Sequence, residues 1–248
     1  MIDQVRAALR KVIPHTIRRA IIRYTRWPPV GRANFRDLHR LEPISRSWGG
    51  DRGLPIDRYY IEQFLASFRK DIRGRVLEIG SDTYIRKFGG ERITKADVLH
   101  VVKDSSKATI IADLADAPHI PSNTFDCIIC TQTLQQIFDA QAALLTLYRI
   151  LKSEGVLLAT FPGISQIDRD AMSQWGDYWR FTALSARNMF MNTFPSAKIT
   201  VQTHGNVFSA VSFLHGLASE ELTQEELDFN DKDYQVLITV RAIKGKDL

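Results

Sequence analysis

Short apolar runs alternate with segments of helical period along most of the chain. Ile61, Phe64, Leu65 and Phe68 recur at i, i+3, i+4 and i+7, which predicts a helix starting near Pro55-Ile56-Asp57. Arg75–Ile79, Asp97–Val102, Ala108–Ala112 and Phe125–Cys130 then read as four strands. Asp139 is placed to cap a helix through Leu151, with Ala140, Leu144, Leu147 and Leu151 on one stripe and Lys152 and Gly155 at its end. Val156–Phe161 is a fifth strand. Thr182 opens a helix through Phe194, and Lys198–Thr203 is a sixth strand. Phe208–Ala218 is helical in pattern, and Gln235–Ala242 is the last strand. Apolar strands alternating with helices imply an α/β domain. The expected architecture is a Rossmann-like, mainly parallel sheet of about seven strands with helices on both faces.

The first residues differ in kind. Val5, Ala8, Leu9 and Val12 form one helical stripe, and after Pro14 the pattern restarts with Ile17, Ala20, Ile21 and Tyr24. Arginines and lysines flank both stripes. Residues 1–46 hold eleven Lys and Arg against Asp3, Asp37 and Glu42, a surplus of eight, whereas the whole chain of 248 residues carries +5. The body is therefore slightly acidic and the basic character belongs to the N-terminal segment. This predicts a basic helical extension over residues 1–50 and a folded domain over 51–248, with Pro28-Pro29 and Gly31 marking the connector. A basic amphipathic helix suits an anionic membrane surface or a protein partner, and equally a helix docked on its own body with solvated arginines. Nucleic acid is not favoured, because aromatic residues are not interleaved with the basic ones.

Apolar residues make up 44% of the chain, enough for a sizeable core. No window approaches a membrane span, and the recurring Arg and Lys of the N-terminus do not suit a signal peptide. The expectation is a cytoplasmic protein, peripheral at most to the inner face of a membrane. The two cysteines, Cys127 and Cys130, have C-x-x-C spacing. Three residues apart on a strand they point to opposite faces, and no second cysteine pair or nearby histidine completes a metal site. No metal is expected.

Chemistry concentrates in "GRVLEIGSDTYIRKFGG", Gly74 to Gly90. Ligands of such sheets bind beyond the carboxyl ends of the strands, which puts Glu78, Gly80, Ser81 and Asp82 at that edge. Gly80 lets the backbone approach a ligand closely, and a helix N-terminus near Thr83 would offer free N–H groups. Only the first glycine of a dinucleotide fingerprint is present, and Asp82 adds negative charge where a pyrophosphate would sit. A nicotinamide dinucleotide is disfavoured for that reason.

"RVLEIG", then "ADLADAPHIPSNTFDCIICTQTLQQI", then "LYRILKSEGVLLATFPG" resembles the class I S-adenosylmethionine-dependent methyltransferases, in the type 11 branch. The resemblance covers roughly residues 55–200, and implies S-adenosylmethionine as cofactor. It assigns Glu78 and Gly80, with Ser81, Asp82 and Thr83 of the same turn, to the methionine part. It assigns Asp113 to the adenine amine and Leu114 to a neighbouring backbone contact. Thr131, Gln132 and Thr133 match the segment beside the transferred methyl. Gln136 sits where many members have histidine. The acid normally found at the end of the second strand for the ribose is missing; Asp104 is the best candidate, ahead of His100 and Lys103. For Glu78 and Asp113 the alternative role is structural, as caps of backbone N–H groups.

In that family the segment after the fifth strand builds the acceptor pocket. Here it reads "FPGISQIDRDAMSQWGDYWRFT" and concentrates Trp175, Asp177, Tyr178, Trp179 and Arg180. Aromatic faces with a few polar groups suit a sugar or other polyhydroxylated acceptor. The alternative is a lid in which Arg180 pairs with Asp177. Methyl transfer to oxygen needs a base, for which Asp177 and His204 are the candidates. The expected function is O-methylation of a glycan or similar small acceptor. The competing expectation is a non-catalytic methyltransferase-like module that binds a partner in membrane-associated glycan assembly.

Overall fold

The computed structural model describes residues 32–34, 36–102, 107–194 and 198–246, together with Pro14, Ile17 and Pro28. Contacts divide the chain into two units, Met1–Glu42 and Pro43–Leu248, so the division falls earlier than the boundary expected at residue 50. In the first unit the described secondary structure includes one 3-10 turn, Arg36–Leu38. The helical stripes expected over residues 1–26 lie outside the described residues, Pro14 and Ile17 apart.

In the second unit seven described strands form one sheet: β1 (Gly74–Ile79), β2 (Ile93–His100), β3 (Ile110–Ile111), β4 (Phe125–Thr131), β5 (Leu151–Pro162), β6 (Lys198–His204) and β7 (Leu237–Ile243). Their order is β3-β2-β1-β4-β5-β7-β6. The pairs among β1 to β5 are parallel, while β7 runs antiparallel to both β5 and β6. The helices are α1 (Ile56–Ser67), α2 (Ala140–Ile150), α3 (Arg169–Gln174), α4 (Ala183–Thr193), α5 (Val207–Leu214) and α6 (Gln224–Asp228).

Strand alternation sorts the apolar residues into two core layers. Leu77, Ile128, Cys130 and Leu157 pack with Leu144 and Leu147 of α2 and Phe190 of α4. Val76, Cys127, Ile129 and Leu158 pack on the other face with Ile61 and Leu65 of α1 and Phe213 of α5. Both cysteines are free and buried, one in each layer, and burial pushes the Cys130 thiol up to about 12. The caps expected at Asp139 and Thr182 form: Asp139 accepts from the Ala142 N–H, and Thr182 exchanges bonds with Ser185. No helix of the described residues is long and apolar enough to cross a membrane.

Three elements differ from expectation. β2 starts at Ile93 rather than Asp97, because its exposed first half pairs along β1 in parallel, with one register shift between Gly74 and Arg75. β5 starts at Leu151, where the end of the preceding helix was expected. Leu151 pairs with Phe125 and the next pair is Val156 with Cys127, so a bulge absorbs Lys152–Gly155, and Glu154 within it has φ 62°. The crossover from β1 to β2 is short: a π-turn, Ile85–Gly89, and a 3-10 turn, Gly90–Arg92, stand where a full helix would fit. A parallel crossover needs about a dozen residues, and this one is near that minimum.

Candidate active site

Two cavities open at the carboxyl ends of the parallel strands. The first, of about 410 Å³, is walled by Ile79, Leu99, Ala112 and Leu114 from the ends of β1 to β3, by Thr133 and by Trp175. Gly80 also lines it, at φ 86°, and a Cβ built there would meet nothing within 4 Å. The backbone thus opens onto space at the point where a ligand needs close approach. Asp113 lines the same cavity, and its Oδ1 accepts from the Ala115 N–H at 2.9 Å.

The rest of the glycine-poor turn folds onto itself. Glu78 is buried and accepts from the Tyr84 N–H at 3.0 Å and the Ile85 N–H at 2.8 Å. The N–H groups expected to be free near Thr83 are therefore partly taken by the chain's own carboxylate. Ser81 Oγ donates to Glu78 at 3.2 Å, the Thr83 N–H donates to Ser81 Oγ at 3.4 Å, and Asp82 pairs with Arg86. Burial pushes the Glu78 carboxyl up, against the lowering effect of these bonds. Asp104 falls outside the described residues. At the end of β2, His100 lines the cavity and its Nδ1 accepts from the Val102 N–H at 2.9 Å.

The second cavity, of about 280 Å³, lies beyond the ends of β4 and β5 and is polar: Asp57, Arg58, Gln132, Gln135, Asp177 and Arg180 line it. Gln136 lines both cavities and joins them. Gln132 follows β4 with φ 47°, a left-handed conformation that is uncommon outside glycine. Its N–H donates to both O and Oγ1 of Thr160 at 3.2 Å. Its side chain donates from Nε2 to Asp57 Oδ2 at 3.3 Å and accepts from Gln135 Nε2 at 3.4 Å. Thr131 and Thr133 hold this turn, with the Thr133 hydroxyl donating to Thr131 O at 3.0 Å.

The aromatic segment divides between the cavities. Trp175 and Tyr178 line the apolar one, away from the acceptor side where they were expected. Trp179 lines neither; its indole donates to the carbonyls of Ile137 and Phe138, and its ring stacks on Phe138. Arg180 grips Asp177 with two bonds, Nη1 to Oδ1 at 2.7 Å and Nη2 to Oδ2 at 2.8 Å. Burial alone would raise the Asp177 carboxyl, but those bonds and the Asp168 N–H outweigh it and hold it low. His204, the other base candidate, lies outside both cavity linings at the end of β6. Its Nε2 contacts Thr239 Oγ1 at 3.1 Å, its ring stacks on Tyr60, and burial holds it below the usual histidine range.

One acid was missed by sequence reasoning. Asp57, 8% exposed, enters the polar cavity from the first turn of α1. Burial raises its carboxyl, against the attraction of Arg58 and the bonds from the Arg58 N–H and Gln132. No local signal separates it from an ordinary first-turn acid of a helix.

Residues 75–159 match the family model described as a methyltransferase domain. No curated protein matches the chain. Among solved structures, an S-adenosylmethionine-dependent methyltransferase from Mesorhizobium loti is 15% identical. It superposes at a TM-score of 0.51 over 76% of this chain and 97% of that one. A second such methyltransferase, from Archaeoglobus fulgidus, is 12% identical, with a TM-score of 0.50 over 75% of this chain and 94% of the other. The [4+2]-cyclase SpnF, 14% identical, reaches 0.51 over 76% of this chain and 81% of its own. At these identities the structural likeness speaks for the fold alone. The match over residues 75–159, on this sheet order, supports a class I S-adenosylmethionine-dependent methyltransferase. That match implies S-adenosylmethionine as the cofactor. The residues of the apolar cavity suit that cofactor: open space at Gly80, apolar walls and an acid at Asp113.

Proposed function

We propose that this enzyme methylates a hydroxyl oxygen of a small polyhydroxylated acceptor, such as a glycan unit, held in the polar cavity. The observation that carries the reading is Gln136, which lines both cavities, so that a group held in the polar one would lie near the other. Two buried polar atoms among the polar-cavity residues support it. Among the described residues Gln135 Oε1 has no donor and Arg180 Nε no acceptor. Buried polar groups without partners are costly, and a hydroxyl can serve as both donor and acceptor.

S-adenosylmethionine, when bound, supplies a methyl group already activated by the sulfonium charge. The protein's part is to orient and to exclude water. Gly80 and Asp113 hold the cofactor, Ile79, Leu99 and Leu114 exclude water from it, and Gln136 and Arg180 position the acceptor. SpnF shares the fold and is named a cyclase, so the reaction rests on the site and not on the fold.

The test is transfer of isotopically labelled methyl from S-adenosylmethionine to a panel of methyl hexopyranosides, read by mass spectrometry, with S-adenosylhomocysteine binding measured by calorimetry. Labelled glycoside is the expected product. Cofactor binding without transfer to any panel member removes the acceptor assignment. For the basic segment, residues 1–26, the reading is docking to an anionic membrane surface or a protein partner. Its deletion is expected to abolish binding to anionic vesicles and leave the rest folded; full-length protein that ignores such vesicles removes the membrane reading.

A further inference from the structure

We propose that Asp57 is the group that receives the acceptor's proton, and that Gln132 is its positioning residue. The assignment rests on methyl transfer to a hydroxyl in the polar cavity. Asp57 stands in the first turn of α1, the helix just before β1, and is carried to the far end of β4, where Gln132 meets it. Its two oxygens take two protein hydrogen bonds, Oδ1 from the Arg58 N–H at 2.8 Å and Oδ2 from Gln132 Nε2 at 3.3 Å. A carboxylate has about four acceptor positions, so capacity remains for a hydroxyl in the cavity it lines.

The surroundings keep Asp57 basic. The Arg58 guanidinium donates to the Tyr84 hydroxyl at 3.3 Å and makes no bidentate fork with Asp57. Tyr84 and Glu62 are the other titratable groups around that guanidinium. Asp177, by contrast, has both oxygens held by Arg180. Asp168 uses one oxygen to cap α3 through the Ala171 N–H. Burial raises the Asp57 carboxyl, whereas at Asp177 the bonds from Arg180 and the Asp168 N–H outweigh burial and hold the carboxyl low, so the two acids of one cavity are pushed apart. That separation is the usual mark of divided acid and base roles.

Gln132 gives the second observation. A non-glycine residue at φ 47° is strained. The strain is kept by two bonds to Thr160 and holds the amide between Asp57 and Gln135. Gln135 is 7% exposed and its Oε1 has no partner among the described residues. The chain Asp57–Gln132–Gln135 thus ends on an atom that calls for a donor from the ligand.

The step balances. As the acceptor oxygen bonds to the methyl carbon, the methyl–sulfur pair stays on sulfur as a neutral thioether, and the hydroxyl proton passes to the Asp57 carboxylate. Asp57 then returns that proton to water.

The test uses the full chain saturated with S-adenosylhomocysteine and labelled with carboxyl-13C aspartate, Asp57 being assigned by loss of its signal in Asp57→Asn. The expected results are an Asp57 midpoint above the ordinary carboxylate range and a signal that moves when methyl hexopyranosides are added. Asp57→Asn should bind S-adenosylhomocysteine within about twofold of wild type yet lose labelled-methyl transfer by about 100-fold or more. Gln132→Ala should lower the Asp57 response to glycoside and move the pH midpoint of transfer. Undiminished transfer by Asp57→Asn, or an Asp57 signal that titrates normally and ignores the glycosides, overturns the assignment. If wild type transfers to no glycoside while Asp57 still responds to them, the methyl-transfer reading fails and the binding role of Asp57 stands.

Discussion

The apolar and polar cavities share one sheet edge and one side chain, Gln136, yet they are assembled differently. The apolar cavity draws most of its wall from 79–139, the consecutive ends of β1 to β4 and the turns after them. The polar cavity takes Trp48 and Asp57 from before the sheet, Gln132 from its middle and Arg180 from beyond β5. Recognition of a flat ring such as adenine needs area and a close backbone approach, which one turn and a few strand ends supply. Recognition by desolvated charges needs each charge to have a partner. Those partners come from wherever in the chain the fold can bring them.

Substitutions that act on one cavity and spare the other sharpen this contrast. The largest effect is expected for Gly80→Leu. Its Cβ points into open space, so the added side chain fills the apolar cavity, and φ 86° adds strain. S-adenosylhomocysteine affinity should fall about 1,000-fold, or ~4 kcal/mol, with glycoside binding to the polar cavity retained in calorimetry. Equal loss of both would mean that the cavities are one site.

Next is Glu78→Ala, which leaves the Tyr84 and Ile85 N–H groups without their acceptor. At ~1–3 kcal/mol per unpaired buried group, urea unfolding should show a loss of roughly 2–3 kcal/mol, with Glu78→Gln losing less. An unchanged midpoint would show that the turn is held otherwise. Asp113→Ala should weaken S-adenosylhomocysteine about tenfold, ~1.4 kcal/mol, and leave the Asp57 signal untouched.

The smallest effect is on stability and has the opposite sign. Asp57 and Glu78 both have carboxyls raised by burial in the folded protein. Their contribution is full below the ordinary carboxylate range and is lost as pH rises through their folded values. Stability should therefore decline across that window. Asp57→Asn removes one of the two charges and should raise the melting temperature at pH 7 by about 2–4 °C. The gain should vanish as pH falls below the ordinary carboxylate range. A destabilised variant at pH 7 would show that the charge at Asp57 is held without cost.

Much of the fold was legible because strand residues such as Leu77, Ile128 and Leu157 are apolar in compact runs bounded by turns. Gly80, Asp113 and Leu114 of the apolar cavity follow closely on β1 and β3, so sequence order fixes the edge on which they stand. β2 began earlier than it read because Ile93–Ala96 is mostly exposed and half polar, and its pairing with β1 leaves no mark in hydropathy. The start of β5 was hidden by "LKSEG", whose charge and glycine resemble a helix end but form a bulge. Asp57 was illegible for a physical reason. Its partner Gln132 lies 75 residues away, and only the packing of α1 against the sheet turns a first-turn acid into a buried one.

Gln136 borders both cavities, and this has a thermodynamic consequence. A side chain that adjusts to one occupant changes the energy of the other, and such linkage is reciprocal. Whatever factor S-adenosylhomocysteine imposes on glycoside affinity, glycoside must impose on S-adenosylhomocysteine. Two titrations, each run with and without the other ligand, would close that cycle, and Gln136→Ala should bring both factors towards one.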